Sequence, residues 1–314
     1  MLISCLSLAG CRRSAAVEVV AADGVLCDIS QRLAANDLSV SCLLQANDDP
    51  HQFQLTPRQS RELRQARLVL INGYNLTPAL RPGPNSLAVA ELAVPDSPLL
   101  AQPDSHDHDH SPSDSHRHGD RDPHVWNDPR QAAAMVQLVS QRLQQLKPEA
   151  AAAISRRASA MGRSLEALHR WNQAQFAGLR NPRSLASSHR GFASLARAYG
   201  LTELALVDAG SSGASLRPQA LAASLEQLRQ LRPGRLFSEQ LPASRALQRI
   251  SSLSGIPVAA EPLRADGLAP GSGGGSADLM TTLTGNTCLI VTSLGGHCNR
   301  QGQHQLIAGW QAIR

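Results

Sequence analysis

Two rhythms of apolar and polar positions alternate along the chain. Residues 17–22 form a short β-branched run that reads as a strand. Residues 24–33 follow with apolar positions at Val25, Leu26, Ile29 and Leu33, the spacing of one helix face. Residues 40–44 read as a strand, and 56–66 as a helix with Thr56 as its cap and Pro57 at its first position. Residues 67–72 form a further strand that ends in the turn dipeptide Asn72-Gly73. Strand, helix, strand, helix, strand predicts a parallel α/β sheet.

Residues 101–122 break the rhythm: they are rich in Asp, Ser and His and read as a solvated loop. Two helices are expected next, over 131–146 and over 148–178. The second is long, with Ile154, Ala158, Met161, Leu165 and Leu168 on one face, and is a candidate connector between halves. The α/β rhythm then resumes. Strands are expected at 183–187, 204–207, 235–239 and 257–259, with helices at 192–199, 218–231 and 243–252. Gly200 stops the first of these helices. The β-branched run 288–292 reads as a last strand. The fold class is therefore α/β, with two parallel-sheet lobes joined by a long rigid helix. The divisions fall at 1–15 (leader), 16–147 (first lobe, with a His-rich loop at 104–120), 148–178 (connecting helix) and 179–314 (second lobe).

The 314-residue length fits two domains at about 150 residues each. Net charge is +5, scattered and almost all arginine, and aromatics are only 3% of the chain, so neither a basic stripe nor a base-stacking surface for nucleic acid is present. The counts that stand out are 11 His and 6 Cys. Leu8-Ala9-Gly10-Cys11 reads as a lipobox, with Cys11 the lipidation site of an exported protein, although the apolar run before it is short and lacks a positive start. Export permits disulfides. Cys288 and Cys298 flank a Gly295-Gly296 turn and are expected to pair; Cys27 and Cys42 are either a second pair or two buried thiols.

The chemistry concentrates in loops that follow strands. Asp-Pro-His occurs twice, at Asp49-Pro50-His51 and Asp122-Pro123-His124, with the two His 73 residues apart. Proline stiffens each turn, which lowers the ordering cost of presenting an imidazole. The Asp of either turn can also hold the other ring nitrogen. His189 follows a strand and precedes a helix, and Asp266 lies in a later loop. Strand C-terminal ends face the crevice of open α/β sheets, so these loops can converge between the lobes. Three imidazoles and one carboxylate suit Zn²⁺, whereas Mg²⁺ and Ca²⁺ prefer more oxygen; Mn²⁺ is the alternative. His106, His108, His110, His116 and His118, interleaved with acids, form an auxiliary metal-binding tract or simply a solvated loop. Glu239, at a strand end, is either a hydrogen-bond partner behind a ligand or a satisfied surface acid. No Walker or Gly-x-Ser-x-Gly motif is present. Three His around an open metal position would also serve a zinc hydrolase, for which Glu239 is the candidate base.

Taken in order, these segments resemble the metal-binding (cluster A-I) solute-binding proteins of ABC transporters, of the zinc-uptake kind. The resemblance rests on Asp49-Pro50-His51-Gln52-Phe53 with Thr56-Pro57, on Ile71-Asn72-Gly73, on Asp122-Pro123-His124-Val125-Trp126 with Asp128-Pro129, and on Ser188-His189-Arg190-Gly191-Phe192 with Tyr199-Gly200. It implies metal held between two lobes by His51, His124 and His189. Members preferring manganese tend to carry Glu at the third position, so His189 points to zinc. Gln54, Arg190 and the 193–195 stretch depart from the usual pattern. Asp266 is placed as fourth ligand by position alone, with water or Glu261 as alternatives. The resemblance implies a monomer that is periplasmic or otherwise extracytoplasmic. It would capture Zn²⁺ and deliver it to a membrane permease, touching the membrane only through a lipid at Cys11. The alternatives are a manganese importer component and an extracytoplasmic zinc store.

Overall fold

The computed structural model describes residues 17–44, 48–100, 121–179, 183–207, 218–269 and 278–314. In the first half, β1 (Val19–Ala21), β2 (Val40–Cys42), β3 (Leu68–Ile71) and β4 (Ser86–Ala88) form a parallel sheet in the order β2-β1-β3-β4. Helices α1 (Gly24–Ala34) and α2 (Pro57–Gln65) make its crossovers, followed by α3 (Val89–Ala93) and α4 (Pro129–Leu146). The start signals work as chemistry demands. The Thr56 hydroxyl accepts from Gln59 N and the Gln59 amide oxygen accepts from Thr56 N, a reciprocal capping box ahead of Pro57. Asp128 caps α4 in front of Pro129.

The helix α5 (Ala151–Ala177) leaves this half. The second half carries β5 (Ser184–Ser187), α6 (Ala193–Tyr199), β6 (Thr202–Ala205), α7 (Pro218–Leu231), β7 (Leu236–Phe237) and α8 (Arg245–Ser254), with a parallel sheet in the order β6-β5-β7. Gly200 takes the left-handed conformation (φ 67°) that closes α6. The chain ends in α9 (Leu279–Ser293) and α10 (Arg300–Gln311). The α/β class with two parallel-sheet lobes and a long helix is what the sequence pattern predicts.

Two helices tie the lobes together. Ile154, Met161, Leu165 and Leu168 of α5 lie in the core of the first lobe, and Phe176 of the same helix lies in that of the second. Likewise Leu279, Met280 and Leu283 of α9 enter the first core and Ile290 and Val291 the second. Asp28 of α1 fixes this arrangement. Its Oδ2 accepts from Leu279 N (3.1 Å) and Trp310 Nε1 (3.0 Å), while its Oδ1 takes Arg32 Nε (2.9 Å).

The expected strand at 288–292 is wrong: those residues are the end of α9. Their β-branched content suggests a strand, but the helix is buried between two cores and so lacks a polar stripe. Its threonines return hydroxyl bonds to carbonyls one turn back, as from Thr284 to Met280 O (2.8 Å) and Thr292 to Cys288 O (2.8 Å). Elements β4, α3 and α10 are missed, and β6 begins two residues earlier than expected. At 257–259 only Val258 pairs, with Leu236. Both cysteine pairs are disulfides: Cys27 of α1 with Cys42 of β2, and Cys288 of α9 with Cys298.

Candidate metal centre

The two Asp-Pro-His turns fold alike. In each, the aspartate Oδ1 accepts from the histidine backbone N at 2.9 Å, so the side chain locks the turn that proline has already stiffened. They differ in what the aspartate does next. Asp122 Oδ1 also lies 2.9 Å from His124 Nδ1, while its Oδ2 accepts from Ser194 N (3.0 Å) and Ser194 Oγ (2.8 Å) of α6. Asp49 instead gives its second oxygen to Gln52 Nε2 (2.7 Å).

His189 leaves the end of β5, where its Nδ1 lies 2.9 Å from Glu239 Oε2. Glu239 Oε1 accepts from Ala265 N (2.6 Å) and Asp266 N (3.0 Å), so one carboxylate holds His189 and the Asp266 loop in a single frame. That loop crosses between lobes: Leu263 and Ala265 pack in the second core and Leu268 in the first. The approach is close at Gly191, where a Cβ would stand 2.5 Å from Ala265 Cβ and 3.1 Å from His189 Nε2.

The result is a convergence of all four residues singled out in the sequence. Ligating atoms of His51, His124, His189 and Asp266 lie within 4.8 Å of one another. Asp266 Oδ1 is 2.6 Å from His124 Nε2 and 3.1 Å from His51 Nε2, and Oδ2 is 3.3 Å from His189 Nε2. The buried His189 Nε2 makes no well-formed hydrogen bond and points into this space. Burial disfavours charge on His124, yet Asp122 and Asp266 outweigh it and push the imidazole up to about 9. Burial likewise opposes charge on His189, and Glu239 and Asp266 overcome it, holding it well above the usual histidine range. The surrounding imidazoles, His189 foremost, hold Asp266 well below the usual carboxylate range despite burial. Without a cation, Asp266 is a carboxylate held beside the imidazoliums of His124 and His189. A cleft of about 670 Å³ opens against His51, His189, Glu239 and Asp266.

Glu261 stands outside the clustered set. Three supporting residues were missed in the sequence. Besides Ser194, Asn127 Nδ2 donates to Gly191 O (2.9 Å), and Glu203 Oε1 accepts from Gly191 N (3.1 Å) and Phe192 N (2.8 Å). None carries a local motif; only folding brings them to the site. Cys11 and the tract from His106 to His118 lie outside the described residues.

The donor set of three imidazoles and one carboxylate is one that can hold a divalent cation between the lobes. The model of the family described as ZnuA, zinc-uptake complex component A, periplasmic, matches residues 19–293. The chain belongs to the ZnuA family. Its relatives include the metal ABC transporter substrate-binding lipoprotein SloC of Streptococcus mutans, 23% identical over 269 residues, covering 83% of this chain and 87% of SloC. Among solved structures, Fe(III)-bound YtgA of Chlamydia trachomatis superposes with a TM-score of 0.76 at 20% identity, over 90% of this chain and 99% of YtgA. The periplasmic zinc-binding protein TroA of Treponema pallidum gives 0.75 at 22% identity, over 88% and 99%. Both likenesses show the shared two-lobe fold. As a ZnuA-family member the protein is a solute-binding component of metal uptake that acts outside the cytoplasm, and it is not an enzyme. No helix among the described residues is long and apolar enough to cross a membrane.

Proposed function

We propose that this ZnuA-family protein captures Zn²⁺ outside the cytoplasmic membrane and delivers it to the permease of an ABC importer. Its ligands are His51, His124, His189 and Asp266. The observation that carries the reading is the donor set: three imidazole nitrogens and one carboxylate oxygen within 4.8 Å of one another. Zinc favours four such ligands in a tetrahedron, whereas Mn²⁺ is bound more weakly by nitrogen donors and takes oxygen readily. The family's own description as a zinc-uptake component supports the same ion. Asp122 and Glu239 hold the far nitrogens of two ligands, the arrangement that fixes a metal-binding ring. A lipid at Cys11 would keep the carrier near its permease, and the histidines from His106 to His118 would collect further ions loosely.

Metal analysis and calorimetry on the purified chain test this. The expected result is one tight Zn²⁺ per chain, retained against excess Mn²⁺ and lost in the His51→Ala, His124→Ala double variant. Weaker ions should disappear when residues 106–118 are deleted. A tight site that survives the double variant, or one that fills with Mn²⁺ in preference, sinks the reading.

A further inference from the structure

The four groups of the centre are not held alike, and the difference points to one side. His124 and His189 each have a carboxylate on the ring nitrogen that faces away from the cluster, Asp122 and Glu239, both at 2.9 Å. Among the described residues no group bonds the outer nitrogen of His51. The supports are also anchored differently. Asp122 is gripped by two donors of Ser194 on the other lobe, and Glu239 by two backbone N–H groups of the Asp266 loop. Both oxygens of Asp49 are satisfied within its own turn, by His51 N and the exposed Gln52 amide. Exposure follows the same order: the side chains of His124, His189 and His51 are 1%, 11% and 22% accessible. The cleft of about 670 Å³ opens onto His51, His189 and Asp266, with His51 the most accessible of the histidines, while His124 is absent from its walls.

We propose that His51 is the exchangeable ligand: the cation passes through the cleft, bonds His51 last on capture and leaves it first on release. The inference rests on the zinc-binding reading above. A ring with no partner on its outer nitrogen is a weaker donor and turns more freely, whereas removing an outer carboxylate costs about 10–100-fold in metal affinity. His124, His189 and Asp266 form the retained half of the centre. With His51 swung away, the ion keeps three protein ligands and an open position filled by solvent, a stable state for zinc. A carrier is served by such a stage, because the ion must shed its protein ligands stepwise to leave. His51 also faces the one wide cleft that adjoins the cluster among the described residues, so the mobile ligand and the route coincide.

Stopped-flow transfer of Zn²⁺ to a fluorescent chelator tests this on the full chain, with His51→Ala, His124→Ala and His189→Ala compared. The expected result is that His51→Ala still binds one Zn²⁺ but releases it at least about 100-fold faster, and that free imidazole slows its release by about tenfold by occupying the cleft. His124→Ala and His189→Ala should lose tight binding and gain nothing from imidazole. Gln240→Trp, on the exposed cleft wall, should slow capture and release together and leave the dissociation constant unchanged. If a histidine variant fails to fold, as judged by circular dichroism, Gln240→Trp and His51→Ala decide. Three alanine variants that behave alike, or imidazole that rescues His124→Ala as well as His51→Ala, overturn the proposal, as does a Gln240→Trp that leaves both rates at the wild-type value. Wild-type protein with no tight site overturns the zinc-binding reading itself; tight wild-type binding with any of those failures overturns this inference alone.

Discussion

Glu239 Oε2 lies 2.9 Å from His189 Nδ1, and the other oxygen of the same carboxylate receives the backbone of Asp266. The third and fourth groups of the centre are thereby aligned by one side chain before any cation arrives. In Glu239→Gln the amide oxygen still accepts the two backbone N–H groups, but its NH₂ faces His189 Nδ1. The ring then offers Nδ1 as acceptor and carries its proton on Nε2, the nitrogen meant for the metal. Zinc affinity should fall by about 10–100-fold with the metal-free fold intact, as measured by calorimetry and far-ultraviolet dichroism. Unchanged affinity would show that Glu239 does not orient the ring.

Binding must displace protons. His124, pushed up to about 9 by its two carboxylates, is an imidazolium at neutral pH in the metal-free protein. A cation needs the neutral ring, so affinity should rise as pH increases toward about 9. Calorimetry in buffers of different ionisation enthalpy should show at least about one proton released per Zn²⁺ at pH 7, and fewer above about pH 9.

Gly191 is a spacing residue. A Cβ there would press on Ala265 Cβ at 2.5 Å and His189 Nε2 at 3.1 Å, driving the Asp266 loop away from the histidine. Gly191→Ala should cost about 1–3 kcal/mol of stability and weaken zinc binding. Adding Ala265→Gly, which removes the opposing methyl, should restore most of both; a double variant no better than the single one would refute the contact as the cause.

Asp23 caps α1 through Oδ1, accepting from Leu26 N at 2.9 Å, and its Oδ2 is buried without a partner. Burial raises its pKa to about 6, against two backbone hydrogen bonds that lower it. The folded chain therefore favours the protonated acid. This contribution is complete below the unfolded carboxylate range and is lost as pH climbs through about 6. Asn keeps the cap without the charge. Asp23→Asn should thus gain on wild type by about 2–3 kcal/mol between pH 4 and 7 in urea unfolding. A difference that does not vary with pH would rule out ionisation of Asp23 as its source.

The Cys27–Cys42 bridge closes a 15-residue separation between α1 and β2. Replacing both with serine should cost about 3 kcal/mol, read as a lower urea midpoint. Zinc affinity should stay the same, since neither residue belongs to the metal cluster.

Much of this molecule is legible in its sequence because the rules involved are short-range. A capping Thr56 before Pro57, a Gly200 stop and a repeated Asp-Pro-His each act over a few residues, and each does locally what its chemistry requires. The same locality explains the failure at 288–292. β-Branched residues favour strands through the packing of their side chains rather than a fixed backbone preference, and the packing of α9 against two cores overrides that tendency.

By itself the sequence determined the α/β class, the stiff turns and the three histidines offered to the centre, with Asp266 placed by position alone. Folding alone decided which carboxylate stands behind which imidazole. Asp122 and Asp49 occupy identical tripeptides, yet only Asp122 holds its histidine ring: Ser194 of the other lobe takes its second oxygen, whereas Gln52 of the same turn takes that of Asp49. Asp266 reaches His51 across 215 residues of chain. Partnerships of that kind depend on packing two lobes around straddling helices, and no local pattern encodes them.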